Sequence, residues 1–327
     1  MTKQRVVSGM RPTGRLHIGH YHGVLENWVK LQDEFDCFFF VADWHSLTTE
    51  YADTAGIRDN IREMVLDWVA FGLDPNKSLV FRQSLVPHHA ELNLILSMIT
   101  PVSWLERCPT YKEMQENLEA KDLSTFGFLG YPVLMTADII LYKATRVPVG
   151  QDQLPHLEIA REITRRFNHL YGQVFPEPEA LLTETPKLLG LDGRKMSKSY
   201  GNSIYLSDTA EETTKKVLSM MTDPARVRRT DPGEPDVCVA FNLHRIYVPQ
   251  DKLDMIIPAC RGASIGCVEC KRILAECMNE RLAPPRAKRV ELAANPGFVD
   301  DLLQDGSRRA SLVSDAVMGE AREALKI

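Results

Sequence analysis

The chain has 327 residues, 44% of them hydrophobic and 25% charged, so it is long enough for a large and a small domain, each with a buried core. Its net charge of −5 argues against binding to nucleic acid through overall positive charge, although a local basic patch is still allowed. No apolar run is long enough to span a bilayer, and the N-terminus lacks the apolar segment of a signal peptide, which predicts a cytoplasmic protein without a membrane partner.

The first hundred residues alternate between strand patterns and helix patterns. Residues 5–9 are predicted to form a short strand that ends in a glycine, and 79–81 a third strand. Between them, the continuous apolar run 37–42 is typical of a parallel strand buried on both faces. Apolar residues recur at helical spacing in three further segments: 18–34, 57–71 and 88–100. This alternation predicts a Rossmann-like, doubly wound α/β fold with a parallel sheet, whose ligands bind beyond the carboxyl ends of the strands.

From about residue 206 onward the strand patterns disappear. Helical patterns take their place: 213–222, 251–260, 268–282 and 286–294. The sequence therefore predicts a catalytic α/β domain over 1–205, with an inserted connective segment at about 105–180, and a C-terminal helical domain over 206–327.

Two histidines lie at the predicted start of the first helix. His17 and His20 flank the dipeptide Ile-Gly shortly after the turn that ends the first strand. Residues three apart on a helix face the same side, and Gly19 leaves space for a ligand near the backbone. The positive end of a helix dipole favours phosphate at such a place. A single H-x-x-H pattern is, however, more often a pair of surface histidines.

A second motif, Lys195-Met-Ser-Lys-Ser199, follows the glycine-containing segment 190–193. A mobile loop with two lysines can close over a triphosphate and neutralise the charge that develops on a leaving pyrophosphate. By itself it could equally be a solvated basic loop. The two motifs in this order, H-I-G-H and then K-M-S-K-S, resemble the signatures of the class I aminoacyl-tRNA synthetases, and both are present without substitution.

The resemblance implies an enzyme that activates an amino acid with ATP and Mg²⁺ and then transfers it to tRNA, without a protein nucleophile. It implies catalytic roles for His17, His20, Lys195 and Lys198. The implied ATP site consists of Arg11, Pro12, Thr13, Gly19, His20, Gly150, Gln151, Asp152, Leu188, Lys195, Met196, Ser197, Lys198 and Ser199. Many bacterial relatives have glutamine in place of Arg11, and threonine and asparagine in place of the two histidines, so the contacts with ATP are expected to differ in detail.

Two further segments, 131–142 and 147–153, resemble the tryptophan-specific members of that class. Indole has one polar group, an N–H donor, and the Asp138 carboxylate on a pocket wall could accept its hydrogen bond. Such a pocket rejects phenylalanine, because the carboxylate would be left unpaired. The implied tryptophan site consists of Val7, Gly9, His45, Tyr131, Met135, Asp138, Val147, Val149 and Gln153. Within it, Tyr131 and Gln153 would contact the amino group of the substrate.

The chain is short for this class, which favours the tyrosine and tryptophan enzymes, and both are normally homodimers. The resemblance therefore implies L-tryptophan and tRNA(Trp) as partners, and a homodimer. A tyrosine-specific enzyme is the nearest alternative. A nucleotidyltransferase of the pantetheine-phosphate type also has an H-x-G-H element but would lack the lysine motif. A synthetase-like RNA-binding protein would be expected to have lost motif residues. Without the resemblance, Asp138 would be interpreted as a solvent-facing helix residue and Met135 as part of the core.

Four cysteines have the spacing C-x21-C-x6-C-x2-C: Cys238, Cys260, Cys267 and Cys270. Four thiolates at this spacing suit a tetrahedral Zn²⁺ or a 4Fe–4S cluster, and four separate buried thiols are the alternative. A subset of tryptophan enzymes carries a 4Fe–4S cluster in the anticodon-binding domain, and residues 260–270 resemble that subset. The resemblance therefore favours the 4Fe–4S cluster over zinc. Nearby basic residues suit contact with tRNA: Arg226, Arg228, Arg229, Lys271, Arg272, Arg286, Lys288, Arg289, Arg308 and Arg309.

Overall fold

A parallel sheet of five strands lies at the centre of the protein, whose computed structural model describes residues 3–108, 124–182 and 188–327. The strands are β1 (Arg5–Met10), β2 (Asp36–Val41), β3 (Ser78–Arg82), β4 (Arg146–Val149) and β5 (Glu179–Leu182). They are arranged in the order β3-β2-β1-β4-β5, and every neighbouring pair is parallel. The chain thus winds outward in both directions from β1, which confirms the predicted doubly wound α/β fold.

Helices connect these strands on both faces of the sheet. They are α1 (Ile18–His20), α2 (Glu26–Glu34), α3 (Asp43–Glu50), α4 (Ile57–Ala70), α5 (His88–Ile99), α6 (Val102–Glu106), α7 (Phe126–Ile140) and α8 (Leu154–Tyr171). A π-helical turn over Tyr21–Leu25 joins α1 to α2, so the helix predicted over 18–34 is one continuous helical segment. The remaining helices are α9 (Ala210–Ser219), α10 (Val239–Tyr247), α11 (Gln250–Arg261), α12 (Cys267–Ala293) and α13 (Phe298–Leu325).

The three phenylalanines of β2 explain why the sheet is buried on both faces. Successive side chains of a strand point to opposite faces. Phe39 stacks on Trp28 of α2, with 4.4 Å between the ring centroids. Phe38 and Phe40 point the other way and pack against the aromatic ring of Phe81. All five rings are at most 3% exposed, so each face of the sheet has its own apolar layer.

The helix α12 differs from the prediction of two helices over 268–282 and 286–294. It continues through Pro284 and Pro285, although proline removes a backbone hydrogen bond and usually kinks or ends a helix. Side chains on both sides of the prolines fix it to the rest of the protein. Lys271 donates to two backbone carbonyl groups at the end of α9, and Arg286 donates to the carbonyl of Leu206. These tertiary contacts outweigh the local effect of the prolines.

The last helix, α13, was not predicted, and it returns to the sheet. It packs along β3, an edge strand, where the Ser307 hydroxyl accepts a hydrogen bond from the backbone N–H of Arg82 at 3.2 Å. Gly306 permits this approach, because a Cβ at that position would overlap the carbonyl oxygen of Val80. The division of the chain near residue 206 stays a prediction. Within the ranges that the structure describes, no helix combines the length and the apolar composition needed to cross a membrane.

Candidate active site

The two signature motifs lie against each other beyond the carboxyl end of β1. Lys198 donates from Nζ to the carbonyl oxygen of Gly14 at 2.9 Å. Gly14 has a φ of +120°, a backbone conformation that favours glycine, so the turn after β1 can present this carbonyl group to the lysine. The backbone N–H of Ile18 donates to the carbonyl of Ile204 at 3.0 Å. The fold therefore brings the two motifs together although they are far apart in the sequence. The hydrogen bond from Lys198 to Gly14 spans 184 positions.

The two histidine rings pack together with 3.7 Å between their centroids. The backbone N–H of His17 donates to Nδ1 of His20 at 3.2 Å, so a neutral His20 carries its proton on Nε2. Burial and the positive charge of Lys198 lower the pKa of His17 to about 4. Burial, His17 and Lys198 lower the pKa of His20 to about 2. Near pH 7 both rings are therefore neutral and can donate an N–H without carrying charge.

The two lysines of the second motif have different surroundings. Lys198 is partly buried, and burial together with the positive charge of Arg11 lowers its pKa to about 8. Lys195 is exposed, and its backbone pairs with that of Leu189. Leu188 is buried, and its carbonyl group accepts the backbone N–H of Met196 at 3.1 Å. The segment 195–199 is thus held at its start by backbone pairing and in its middle by the Lys198 side chain.

Asn202 holds this lysine segment and was missed by the sequence reasoning. Its side chain is 2% exposed, and its Oδ1 accepts the backbone N–H of Ser197 at 2.8 Å. Its Nδ2 donates to the carbonyl of Lys195 at 3.2 Å and to Oδ1 of Asp192 at 2.7 Å. One amide group therefore links three places in the segment 192–197. An asparagine three residues after the motif offers no pattern that would distinguish it from a turn residue in the sequence.

The other predicted nucleotide residues lie at the carboxyl ends of β1 and β4. Pro12 is buried, whereas Arg11 and Thr13 are exposed in the turn after β1. Gly150 ends β4, and the Asp152 carboxylate folds back over it, so that a Cβ at 150 would lie 2.6 Å from Oδ1. Gln151, which follows Gly150, is exposed, and so is Ser199 in the lysine segment. Because β1 and β4 are neighbours in the sheet, the residues that follow these two strands share one edge of it.

Asp138 lies at the centre of a buried hydrogen-bond network. Its Oδ2 accepts from Nε2 of His45 at 2.7 Å, and its Oδ1 accepts from Nε2 of Gln83 and from Nδ1 of His89, each at 2.7 Å. Burial alone would raise the pKa of Asp138, but the hydrogen bonds and charges of His45 and His89 outweigh it, and the pKa lies below its ordinary value. An ionised carboxylate is thus held inside the protein. His89 also contacts the Tyr142 hydroxyl at 2.7 Å.

Gln83 and His89 were missed by the sequence reasoning. Gln83 follows β3 directly, at the carboxyl edge of the sheet where ligands of such folds bind, and this position was the available signal. His89 is in the first turn of α5 and is fully buried. Nothing in the sequence around it indicates that its ring reaches a carboxylate on α7, because α5 and α7 are brought together only by the fold.

The apolar members of the predicted substrate site share one face of the sheet. Val7 and Val147 are buried in the cluster on that face, and Met135 and Val149 are partly buried against it. Gly9 is exposed at the end of β1, and the Phe40 ring occupies the space in which a side chain at position 9 would lie. Val7 thus belongs to the core beneath the site, whereas the exposed backbone of Gly9 lies at its surface.

The two predicted contacts of the substrate amino group lie on α7 and directly before α8. The hydroxyl of Tyr131 contacts Nε2 of His156 at 2.5 Å. Gln153 is partly buried and donates from Nε2 to the Asp152 carboxylate at 3.0 Å. His156 is 4% exposed and was not singled out in the sequence.

The four spaced cysteines carry free thiols and lie close to one another. Burial raises the pKa of Cys238, Cys260 and Cys270, and the charges of other thiolates in the set raise it further. Nη1 of Arg226 lies 3.7 Å from Sγ of Cys260. Over 3–108, 124–182 and 188–327, no group of three or more His, Cys, Asp or Glu residues is arranged to hold a metal ion. The predicted metal site therefore stays a prediction.

Comparison with known proteins identifies the family. A family model described as "tRNA synthetases class I (W and Y)" matches residues 1–283. The tryptophan–tRNA ligase of Thermotoga maritima is 52% identical over 325 residues, which cover 99% of each chain. That of Aquifex aeolicus is 46% identical and covers 99% of this chain and 100% of its own. The chain belongs to the tryptophan–tRNA ligases.

Solved structures of tryptophan–tRNA ligases agree with this membership. The enzyme of Campylobacter jejuni, solved in complex with ADP and tryptophan, has a TM-score of 0.91 and 32% identity to this chain. The match covers 99% of this chain and 100% of that one. The protein is therefore an ATP-dependent class I ligase.

Because the protein is a ligase that uses ATP, the role of the Asn202 contacts can be tested by its activity. We expect Asn202→Ala to lower the turnover of ATP–pyrophosphate exchange by about tenfold, because the backbone of the lysine segment loses its link to the turn at 192. The KM for tryptophan should change less than about twofold, since the amide does not reach the Asp138 network. Trypsin should also cleave after Arg194 and Lys195 faster than in the wild type.

Asn279→Ala is the matched control, because the Asn279 amide also donates two hydrogen bonds, to α9, away from the lysine segment. We expect this control to leave both turnover and loop cleavage unchanged. Unaltered turnover and cleavage in Asn202→Ala would show that the amide has no role in holding the segment.

Proposed function

We propose that the enzyme joins L-tryptophan to tRNA(Trp) in two steps at the carboxyl edge of the sheet. A carboxylate oxygen of tryptophan attacks the α-phosphorus of ATP, the bond from that phosphorus to the oxygen bridging to the β-phosphate breaks, and pyrophosphate leaves. A ribose hydroxyl of the terminal adenosine of tRNA, in this class usually the 2′-hydroxyl, then attacks the carbonyl carbon of the adenylate, and AMP leaves. The observation that carries the proposal is the contact between Lys198 and the turn that precedes the two histidines.

The nucleotide end of the proposed site combines neutral donors with the positive charge of two lysines. His17 and His20 are neutral near pH 7, so each offers an N–H to a phosphate oxygen without a desolvated charge of its own. Nδ1 of His17 is buried and has no partner among the described residues. Lys195 and Lys198 neutralise the negative charge that grows on pyrophosphate in the transition state. Mg²⁺ bound to ATP would supply further neutralisation of the phosphates.

The tryptophan end of the proposed site is organised around Asp138. A carboxylate has about four lone-pair sites, and three of those of Asp138 are used by His45, Gln83 and His89. We assign the remaining site to the indole N–H. Tyr131 and Gln153 would receive the ammonium group of the substrate. The Campylobacter jejuni relative, which was solved with tryptophan, supports a pocket in this fold.

For the four cysteines we propose a 4Fe–4S cluster that cross-links the helical part of the chain. Cys238, Cys260, Cys267 and Cys270 would each bind one iron, which suits soft thiolate ligands. A structural zinc ion bound by the same four thiolates is the alternative, and the resemblance of residues 260–270 to the cluster-carrying subset of the family favours the 4Fe–4S cluster. An absorption band near about 400 nm and bound iron in anaerobically purified protein would support the cluster. Stoichiometric zinc without iron would support the alternative.

We further propose a tRNA contact beside these cysteines. A cavity of about 450 Å³ is lined by Arg226, Arg228, Arg229, Arg272 and Cys267, among others. Arg228, Arg229 and Arg272 are available to phosphate. The guanidinium groups of Arg226, Arg286 and Arg289 instead bind carbonyl, hydroxyl and carboxylate groups of the protein itself. Basic side chains around an opening suit the backbone and the unpaired bases of tRNA.

The proposed assembly is a homodimer in the cytoplasm. Four large apolar side chains on the helices α5, α6 and α7 are more than half exposed: Leu94, Met98, Val102 and Phe126. An exposed apolar surface of this kind is typical of a protein–protein interface. A second copy of the chain would remove it from water.

ATP–pyrophosphate exchange tests the proposed reaction directly. Purified enzyme is assayed with tryptophan, with tyrosine and without an amino acid, and charging of tRNA(Trp) is measured in parallel. Exchange that depends on tryptophan alone would support the first step and its specificity. Exchange with tyrosine would overturn the assignment of Asp138, and no exchange with either amino acid would overturn the proposed activity.

A further inference from the structure

We infer that His156 is a positioning residue that orients the hydroxyl of Tyr131, so that the phenol oxygen accepts a hydrogen bond from the ammonium group of the bound amino acid. The inference rests on the proposed function, because it assigns Tyr131 to the substrate. It adds a residue that touches Tyr131 and acts through it. His156 would thereby contribute to the selection of α-amino acids over otherwise identical indole acids.

The geometry places the two side chains in direct contact. Tyr131 is in α7 and His156 is in the first turn of α8, two helices that pack against each other. The phenol oxygen lies 2.5 Å from Nε2 of His156, and the ring centroids are 5.3 Å apart. The Arg11 guanidinium lies within electrostatic range of Tyr131. The phenol therefore reaches from α7 towards the residues at the end of β1.

The His156 ring is enclosed by the protein. It is 4% exposed, and its Nδ1 has no hydrogen-bond partner among the described residues. Burial lowers the pKa of His156, although Asp152 partly opposes this effect. The ring is therefore neutral near pH 7, and a neutral imidazole has one donor nitrogen and one acceptor nitrogen.

The hydrogen bond between Tyr131 and His156 can have either direction, and the chemistry of the substrate favours one of them. If Nε2 is the acceptor, the phenol O–H of Tyr131 donates to His156, and the two lone pairs of the oxygen are left for the Cys108 thiol, which also contacts this hydroxyl, and for one further donor. If Nε2 carries the proton, the phenol O–H must point away from His156. An ammonium group has three donors and no acceptor, so it can bind only to a lone pair of the oxygen. A bound amino acid thus favours the arrangement in which His156 accepts the phenol proton.

The test compares tryptophan with indole-3-propionate, which has the same indole and carboxylate but lacks the ammonium group. We measure the Kd of tryptophan by equilibrium dialysis and the Ki of indole-3-propionate by competition. In His156→Leu the ratio of the Ki of indole-3-propionate to the Kd of tryptophan should fall by about tenfold. The reason is that the hydrogen bond between the Tyr131 hydroxyl and the charged ammonium group of tryptophan is weakened. The Ki itself should change less than about twofold. Tyr131→Phe should lower the same ratio, and the double variant should fall little further.

Two further variants separate this role from a merely structural one. His156→Gln retains a side-chain carbonyl that can accept the phenol proton, and it should keep the ratio within about threefold of the wild type. His169→Leu, on the exposed end of the same helix, is the control and should keep both constants. The comparison of His156→Gln with the wild type remains informative if the leucine variant does not fold.

Three results would overturn the inference. One is an equal weakening of both ligands in His156→Leu, and another is a glutamine variant that folds but loses the ratio altogether. The third is a double variant in which the ratio falls by the product of the factors found for His156→Leu and Tyr131→Phe alone, which would mean that the two residues act independently. Failure of the proposed function has a different signature, because the wild-type enzyme itself would then fail to bind tryptophan.

Discussion

We expect replacement of Lys198 by methionine to lower the rate of ATP–pyrophosphate exchange by about 100- to 1,000-fold and to change the Kd of tryptophan little. The methionine has a similar length but no charge, so it fills the space beside Gly14 without neutralising the leaving pyrophosphate. Lys198 is already held in place by the Gly14 carbonyl at 2.9 Å, so little reorganisation is needed when ATP binds. Single-turnover measurement of adenylate formation with saturating ATP checks this prediction.

The pH dependence of the same reaction follows from the surroundings of Lys198. Its pKa is lowered to about 8 by burial and by Arg11, so the ammonium form is lost as the pH rises through about 8. The profile of kcat/KM for ATP, which reports the free enzyme, should therefore fall on the alkaline side with an apparent pKa of about 8. The two histidines, with pKa values of about 4 and 2, add no transition between about pH 6 and 8.

The variant Lys198→Arg tests whether loss of the positive charge of Lys198 causes the fall of kcat/KM for ATP at alkaline pH. Arginine stays protonated throughout the accessible range, so the decline should move above about pH 9 even if the rate at pH 7 is reduced. Lys288→Met is the control, since Lys288 is an exposed lysine of α12 paired with Glu291. An unchanged alkaline pKa in the arginine variant would assign the decline to another group, and near-normal exchange in Lys198→Met would remove Lys198 from the reaction.

The sequence predicted strands and helices correctly where the local pattern of apolar residues matches the side chains that are buried in the structure. The Phe-Phe-Phe run of β2 has aromatic partners on both faces of the sheet, which is why an unbroken apolar run correctly predicted a buried parallel strand. The missed helix α13 shows the limit of such patterns. Its place depends on Gly306 and Ser307 meeting β3, more than 200 positions earlier in the chain, and no local pattern contains that contact.

The site followed from motifs more completely than from single residues. The H-I-G-H and K-M-S-K-S strings carry enough information to place Lys198 beside the turn after β1. The residues that hold the chemistry in place were not visible in this way. Gln83, His156 and Asn202 are ordinary polar residues in the sequence. Gln83 and His156 acquire their roles from partners on other elements, and Asn202 acquires its role from the segment five to ten positions before it. Buried polar networks of this kind are products of tertiary structure.

Replacement of Asp138 by asparagine should have the second large effect, on the selection of the amino acid. The amide has almost the same shape, but it offers one acceptor oxygen and a donor where the carboxylate offers two acceptors. The structure presents donors from His45, Gln83 and His89 to this group, so asparagine cannot satisfy all of them and the indole N–H as well. We expect kcat/KM for tryptophan to fall by about 100-fold or more, while the KM for ATP stays within about threefold.

A substrate analogue shows whether the indole N–H is the group that Asp138 recognises. In 3-benzothienyl-L-alanine, sulfur replaces the N–H with little change in shape, so wild-type enzyme should discriminate strongly against it because the carboxylate site remains unfilled. In Asp138→Asn the ratio of kcat/KM for tryptophan to kcat/KM for this analogue should fall by at least about tenfold. Only tryptophan carries the indole N–H, so only its kcat/KM is lowered by the loss of the carboxylate acceptor.

Asp43→Asn is the matched control for this comparison. Asp43 is 4% exposed and is also a buried carboxylate with several donors, from Arg82 and Ser84, but it does not belong to the Asp138 network. Its replacement should reduce stability and leave the ratio between the two substrates unchanged. If Asp138→Asn lowers kcat/KM for both substrates equally, as a change confined to packing would, then Asp138 supports the pocket without contacting the indole. The specificity for tryptophan would in that case depend on other residues of the proposed tryptophan site, among them His45, the partner of Asp138 that is more exposed to solvent.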